Sequence, residues 1–171
     1  VGGRGTEIAK HLLERYGARL SIIGRTALGD NEGPHNEQER DGAALERAQA
    51  LGALQRLGGE VAYASVDVAD PVRLRLIVEA AETRWQQRLD GVVHLAGTFE
   101  ERLLADETPT TVLAALRPKV MGAWALRELV RSRPDTFFVS FSSVNGYFGG
   151  FSAGAYAAAN EAMASVYPMV L

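Results

Sequence analysis

The chain has no cysteine, which excludes a disulfide scaffold, a thiolate metal site and a cysteine nucleophile. Histidine is nearly as scarce. His11, His35 and His94 stand apart from one another, too scattered for a histidine-rich metal site, so no metal is expected. An excess of one charge sign is also missing: 18 basic against 21 acidic side chains leave a formal net charge of -3. That gives no basic field for gripping nucleic acid or an anionic membrane. No apolar run approaches the ~20 residues of a membrane span, and no secretory leader is read, so a cytoplasmic location is expected. Lysine occurs only at Lys10 and Lys119, in a chain that otherwise uses arginine.

What remains is one domain's worth of globular sequence. The 171 residues are 47% hydrophobic and 23% charged, enough to bury roughly 70% of the unfolded surface in a single core. The sequence opens at Val1 inside a glycine-rich turn and stops at Leu171 after an apolar stretch. It is therefore expected to be a single domain, 1–171, of a longer multidomain polypeptide, truncated at both ends.

Helix and strand signals alternate along the chain. Ile8, Leu12, Leu13 and Tyr16 recur at helical spacing and stop at Gly17. Residues 20–23 read as a strand ending at Gly24, and residues 29–42 as a polar surface loop. A helix is predicted over 43–57 and a strand over 61–66. A second helix is predicted over 71–85, with Asp70 as N-cap and Pro71 at the first helical position. Residues 91–95 and 136–141 read as strands. Between them, residues 110–131 carry a long helical pattern broken at Pro118. A last helix is predicted over 153–166. Near-continuous apolar strands alternating with helices predict an α/β fold, a doubly wound Rossmann-type parallel sheet with helices on both faces. The strands at 20–23, 61–66, 91–95 and 136–141 would be the second to fifth of an order 3-2-1-4-5, with a sixth beginning near Leu171.

Five groups of residues point to chemistry. Gly2, Gly3 and Gly5 open the first helix, where glycines let a backbone approach a pyrophosphate seated on a helix N-terminus. A full G-x-x-x-G-x-G pattern would need one more glycine than Thr6-Glu7-Ile8 supplies. Gly24-Arg25 ends the second strand, where a carboxylate would bind ribose hydroxyls and select NAD; Arg25 instead suits a 2′-phosphate. Asp67, at the end of the third strand and next to Val68, can accept from an adenine amino group. Ala96 and Gly97 follow the fourth strand and are small enough for a cofactor ribose to lie against the backbone. The fifth group is Lys119, Ser143, Tyr156 and Asn160. Tyr156 and Asn160 are one helical turn apart on the same face. An ammonium near a phenol favours the phenolate and makes a tyrosine a usable proton donor near neutral pH. A serine hydroxyl can orient and polarise a carbonyl.

On these residues the chain resembles the short-chain dehydrogenase/reductase superfamily, and within it the ketoreductase domain of modular polyketide synthases. The segments that carry the resemblance are FSSVNGYFGGFSAGAYAAAN (141–160), RPKVMGA (117–123), DGVVHLAG (90–97), IIGR (22–25) and SVDVAD (65–70). Ordinary members of the superfamily carry Tyr-x-x-x-Lys. Here Asn160 follows Tyr156 at that spacing and the lysine lies upstream at Lys119, the ketoreductase-domain arrangement. The resemblance implies NADPH-dependent reduction of a β-ketoacyl thioester on an acyl carrier protein, among neighbouring synthase domains. Tyr156 would donate the proton, Ser143 would hold the ketone oxygen, Lys119 would bind the nicotinamide ribose and Asn160 would support a relay water. Gly2, Gly3, Gly5, Arg25, Asp67, Val68, Ala96 and Gly97 would line the cofactor. Phe99-Glu100-Glu101 stands where one stereochemical class has Leu-Asp-Asp, and Phe148 where the other has tryptophan, which leaves the alcohol configuration open. The other readings of the same residues are a free-standing reductase of a small carbonyl compound and a catalytically silent spacer domain.

Overall fold

The computed structural model describes residues 3–26 and 37–166, with the backbone alone over 37–44. The chain divides into two compact units, Val1–Val66 with Thr83–Gln86, and Asp67–Glu82 with Gln87–Leu171.

In the first unit, helix α1 (Gly3–Tyr16) places Ala9 and Leu13 one turn apart on its buried face. It ends at Gly17, whose φ of 60° lies in the left-handed region that glycine adopts without strain. The Gly17 amide caps the Leu13 carbonyl at 3.0 Å. Strand β1 (Leu20–Gly24) then pairs in parallel with β2 (Val61–Ser65), in register from Leu20 opposite Val61 to Gly24 opposite Ser65. Helix α2 (Glu37–Arg56) connects them, and its Leu51 and Leu54 close a core with Ala9, Leu13 and Val61. The predicted loop at 29–42 is corrected here. Its part at 29–36 lies outside the described residues, and its part at 37–42 is helical. Glu37-Gln38-Glu39-Arg40 is a run of good helix formers with carboxylates near the N-terminus, where the helix dipole favours them. Polar composition does not by itself mean irregular backbone.

The second unit holds the other parallel pair, β3 (Gly91–His94) with β4 (Phe137–Ser140), in register from Gly91 opposite Phe137 to His94 opposite Ser140. The two pairs are the 3-2 and 4-5 neighbours of the expected strand order. Helix α3 (Pro71–Trp85) starts as the sequence predicts: Asp70 Oδ1 accepts from the amides of Val72 and Arg73 at 3.1 and 3.0 Å. Near its end Glu82 receives the Arg133 guanidinium and the Leu89 amide, and the hydrogen bond from Arg133 holds its carboxyl below the usual range.

The long helical stretch before β4 is three pieces. Helix α4 (Pro109–Leu116) begins at a Thr108–Thr111 capping box. Residues Arg117–Met121 form a π-turn, and α5 (Gly122–Val130) continues it. Pro118 has no N–H to give the preceding turn, so the ladder widens, and the Gly122 amide reaches back to the Arg117 carbonyl. After β4 come a one-turn helix α6 (Asn145–Phe148) and then α7 (Gly154–Val166). Helix α7 packs on α4, on α6 and on the π-turn, and Met163 and Val166 meet Ala123 in a dry core. The predicted sixth strand near Leu171 lies outside the described residues.

Candidate active site

The second unit gathers eight of the residues singled out in the sequence. Lys119 sits in the π-turn and is 5% exposed. Its ammonium donates to the Phe141 carbonyl, just beyond β4. Gly97 leaves room for that side chain: a β-carbon there would lie 2.7 Å from Lys119 Cε. Burial pulls the Lys119 pKa below that of an ordinary lysine. Among the described residues no carboxylate pairs with it. Its two other N–H groups remain available to a ligand.

Tyr156 and Asn160 stand one turn apart on α7. The Tyr156 ring is half-buried, meets Phe99 edge to face at a centroid distance of 4.9 Å, and lines a small pocket with Thr98, Glu100, Arg102, Glu107 and Thr111. Asn160 is fully buried. Its amide nitrogen donates to the Tyr156 carbonyl at 2.8 Å, which fixes the amide orientation and leaves Oδ1 buried without a partner among the described residues. Ser143 lies at the exit of β4, and its hydroxyl oxygen accepts from the Asn145 amide at 3.2 Å. That contact uses the oxygen as acceptor, so the O–H can be given to a carbonyl. Helix α7 packs on both the π-turn and α6, so the element with Tyr156 and Asn160 lies against the turn that carries Lys119 and the helix that follows Ser143.

Asp67 and Val68 are tied to the same turn. Asp67 Oδ2 accepts from Arg117 Nε at 2.7 Å and Oδ1 from the Ala69 amide at 2.9 Å. Val68 presses on Gly122, where a β-carbon would come within 2.7 Å of Val68 Cγ1. Ala96 immediately precedes Gly97 on the exit from β3.

The first unit holds the other expected cofactor residues. Gly3 and Gly5 lie in the first turns of α1, and no atom stands within 4 Å of where a β-carbon would be at Gly3. Gly2 lies outside the described residues. The Arg25 side chain is exposed and, among the described residues, pairs with no carboxylate. At Gly24 a β-carbon would stand 2.6 Å from the Tyr63 hydroxyl, which is itself held by the Thr26 carbonyl. A carboxylate side chain at the end of β1 has no room while that phenol stays in place.

Three features went unread in the sequence. Helix α6 is one turn long, too short for periodicity to reveal. The edge-to-face contact of Phe99 on Tyr156 joins residues 57 apart in sequence. The buried His94, whose Nε2 faces the Lys119 carbonyl at 3.4 Å, looked like a strand residue; only a lone polar side chain in an apolar strand hinted at it.

A family model described as the KR domain matches residues 1–168. The chain belongs to the KR-domain family. Polyketide synthase ThaG of Burkholderia thailandensis is 34% identical over 165 residues, covering 96% of this chain and 3% of that protein. Polyketide synthase PksM of Bacillus subtilis is 31% identical over 161 residues, 94% of this chain and 3% of that protein. The chain thus spans a small fraction of the relatives it matches. Among solved structures, a ketoreductase domain from the bacillaene assembly line superposes with a TM-score of 0.78 at 29% identity, covering 96% of this chain and 37% of that one. The fold is therefore the Rossmann-type α/β fold of these ketoreductases. KR domains of polyketide synthases are oxidoreductases, and their fold is one that binds a nicotinamide cofactor.

Within the first unit, the open space at Gly3 and the Arg25 guanidinium, which among the described residues pairs with no carboxylate, are compatible with such a cofactor; within the second, so are the close approach of Gly97 to Lys119 and the Asn160 oxygen that has no partner among the described residues. Among the described residues no helix is long and apolar enough to cross a membrane, and no cluster of acidic or histidine side chains could hold a metal ion.

Proposed function

We propose that this chain is the NADP-binding catalytic part of a ketoreductase within a longer multidomain synthase, reducing a β-ketoacyl thioester carried by an acyl carrier protein to the β-hydroxyacyl thioester. A reduced nicotinamide supplies the hydride when bound. The chain's own residues supply the rest. Tyr156 gives its phenolic proton to the ketone oxygen. Ser143, its oxygen occupied by the Asn145 amide, donates its O–H to the same oxygen and orients the carbonyl. Lys119 keeps two N–H donors that would go to the nicotinamide ribose. Asn160 offers Oδ1 to a water that can return a proton to Tyr156.

Gly2, Gly3 and Gly5 would receive the pyrophosphate, Arg25 the 2′-phosphate, and Asp67 with Val68 the adenine; Ala96 and Gly97 would face the ribose. NADPH is preferred over NADH because Gly24 carries no carboxylate and Tyr63 leaves no room for one.

The observation that carries the reading is Lys119. A buried lysine outside the tyrosine helix, packed under Gly97, takes the place of one on α7, where the fully buried Asn160 stands instead. The test compares kcat/KM of the full-length protein for a soluble β-ketoacyl thioester and for a small unconjugated ketone, both with NADPH. The reading requires the thioester to be clearly the better substrate. A preference for the small ketone would assign the chain to carbonyl reduction outside a synthase.

A further inference from the structure

We propose that His94 is a positioning residue for Lys119, holding the π-turn in the form that aims the ammonium. This rests on the ketoreductase reading above and deepens it. His94 ends β3 and is 2% exposed, in an otherwise apolar setting. Its Nε2 lies 3.4 Å from the Lys119 carbonyl, and the ring also meets the Pro118 carbonyl. Both groups are acceptors, so Nε2 carries the hydrogen and the imidazole is the donor. The Gly122 amide reaches the Arg117 and Lys119 carbonyls within the turn, and the imidazole adds a side-chain donor to the Lys119 carbonyl from β3, tying the turn to the strand.

The imidazole is also wedged against the turn. A β-carbon on Gly122 would come within 3.3 Å of His94 Cε1, so the first residue of α5 has to be small for the ring to seat. From the backbone that His94 holds, the Lys119 side chain runs past Gly97 to the Phe141 carbonyl. Phe141 in turn donates its amide to the His94 carbonyl at 3.0 Å. His94, Lys119 and Phe141 form a closed ring of contacts. Take away the imidazole donor, and the turn that carries Lys119 loses its side-chain tie to β3, leaving the Lys119–Phe141 contact and the packing at Gly97 to aim the ammonium.

The test is a double-mutant cycle in the full-length protein: His94→Leu and His94→Gln, each alone and with Lys119→Met. The measurements are kcat, the NADPH dissociation constant by fluorescence, and thermal stability. Leucine keeps most of the volume without a donor; glutamine restores an N–H. His94→Leu is expected to weaken NADPH binding and lower kcat about tenfold, the scale of one lost hydrogen bond. His94→Gln should recover most of that. In the Lys119→Met background the His94 substitutions should have no further effect on either quantity.

Equal losses in both backgrounds, or a fall in thermal stability with kcat and affinity unchanged, would overturn the proposal. If His94→Leu does not fold, His94→Asn replaces it, since its shorter amide cannot reach the turn; equality of Asn and Gln variants would again overturn it. Lys119→Met indistinguishable from wild type would refute the ketoreductase reading itself, a different failure from additivity of the two sites.

Discussion

The two units put their functional groups in different states. In the second unit they are already engaged with the protein: Lys119 with Phe141, Asn160 with the Tyr156 carbonyl, Ser143 with Asn145, Asp67 with Arg117. In the first unit they are backbone, open space and an exposed guanidinium. The contrast is the one the proposed chemistry calls for. Proton transfer needs groups held to a fraction of an ångström, with geometry fixed by packing and hydrogen bonds before any ligand arrives. Recognition of a phosphate needs accessible donors, and glycine and arginine provide them without prior partners.

The largest effect should come from breaking the engaged half. Tyr156→Phe removes one hydroxyl and keeps the ring that Phe99 contacts, so fold and NADPH affinity should be retained. Loss of the proton donor should lower kcat by ~10² to 10⁴. Circular dichroism, a cofactor titration and a turnover assay separate the three; full turnover in the variant contradicts the assignment.

Next in size is an acid sensitivity confined to the second unit. Burial, with the Lys119 cation adding to it, depresses the His94 pKa to about 4 from an ordinary 6.5. Above pH 6.5 both folded and unfolded forms are neutral, and the native contact is intact. As pH falls below 6.5 the unfolded form takes up a proton that the folded form refuses, so stability is lost between pH 6.5 and about 4. The loss amounts to roughly 3 kcal/mol. Protection factors of the β3 and α5 amides in the full-length protein, taken against the intrinsic exchange rate at each pH, should therefore fall across that window, and less so in His94→Gln. An identical acid response in the two proteins would mean that His94 is not the group responsible.

The smallest effect belongs to the open half. Arg25→Ala should cost about 1.5 to 3 kcal/mol of NADPH binding, the worth of a charge-assisted hydrogen bond, a tenfold to hundredfold weakening. NADH affinity should stay as it was, because Arg25 has no 2′-phosphate to meet there. Parallel loss of both cofactors would show that Arg25 supports the loop and not the phosphate.

How much of this was legible in the sequence follows the same division between local and distant effects. Asp70 as N-cap, Gly17 as a stop and Pro118 as a break were readable because each acts within a turn of its own position. The elements that carry Lys119, Ser143, Tyr156 and Asn160 were readable from helical and strand periodicity, and the proposal that the four act as a set rests on their spacing and on the resemblance. The start of α2 at Glu37 was missed because polarity and helicity are independent properties. The widening of the break at Pro118 into a π-turn was also beyond reach, since a proline in a helical pattern can as well kink or end the helix. Arg117 on Asp67 and Phe99 on Tyr156 are contacts between distant residues with no local signature.

The most direct measurement of the central claim is stoichiometric. The full-length protein is incubated with NADPH and a soluble β-ketoacyl thioester, and cofactor consumption is followed alongside product mass. The account predicts one NADPH consumed per β-hydroxyacyl thioester formed. NADPH bound but not consumed, with the ketone recovered unchanged, would contradict it and make this domain a silent one.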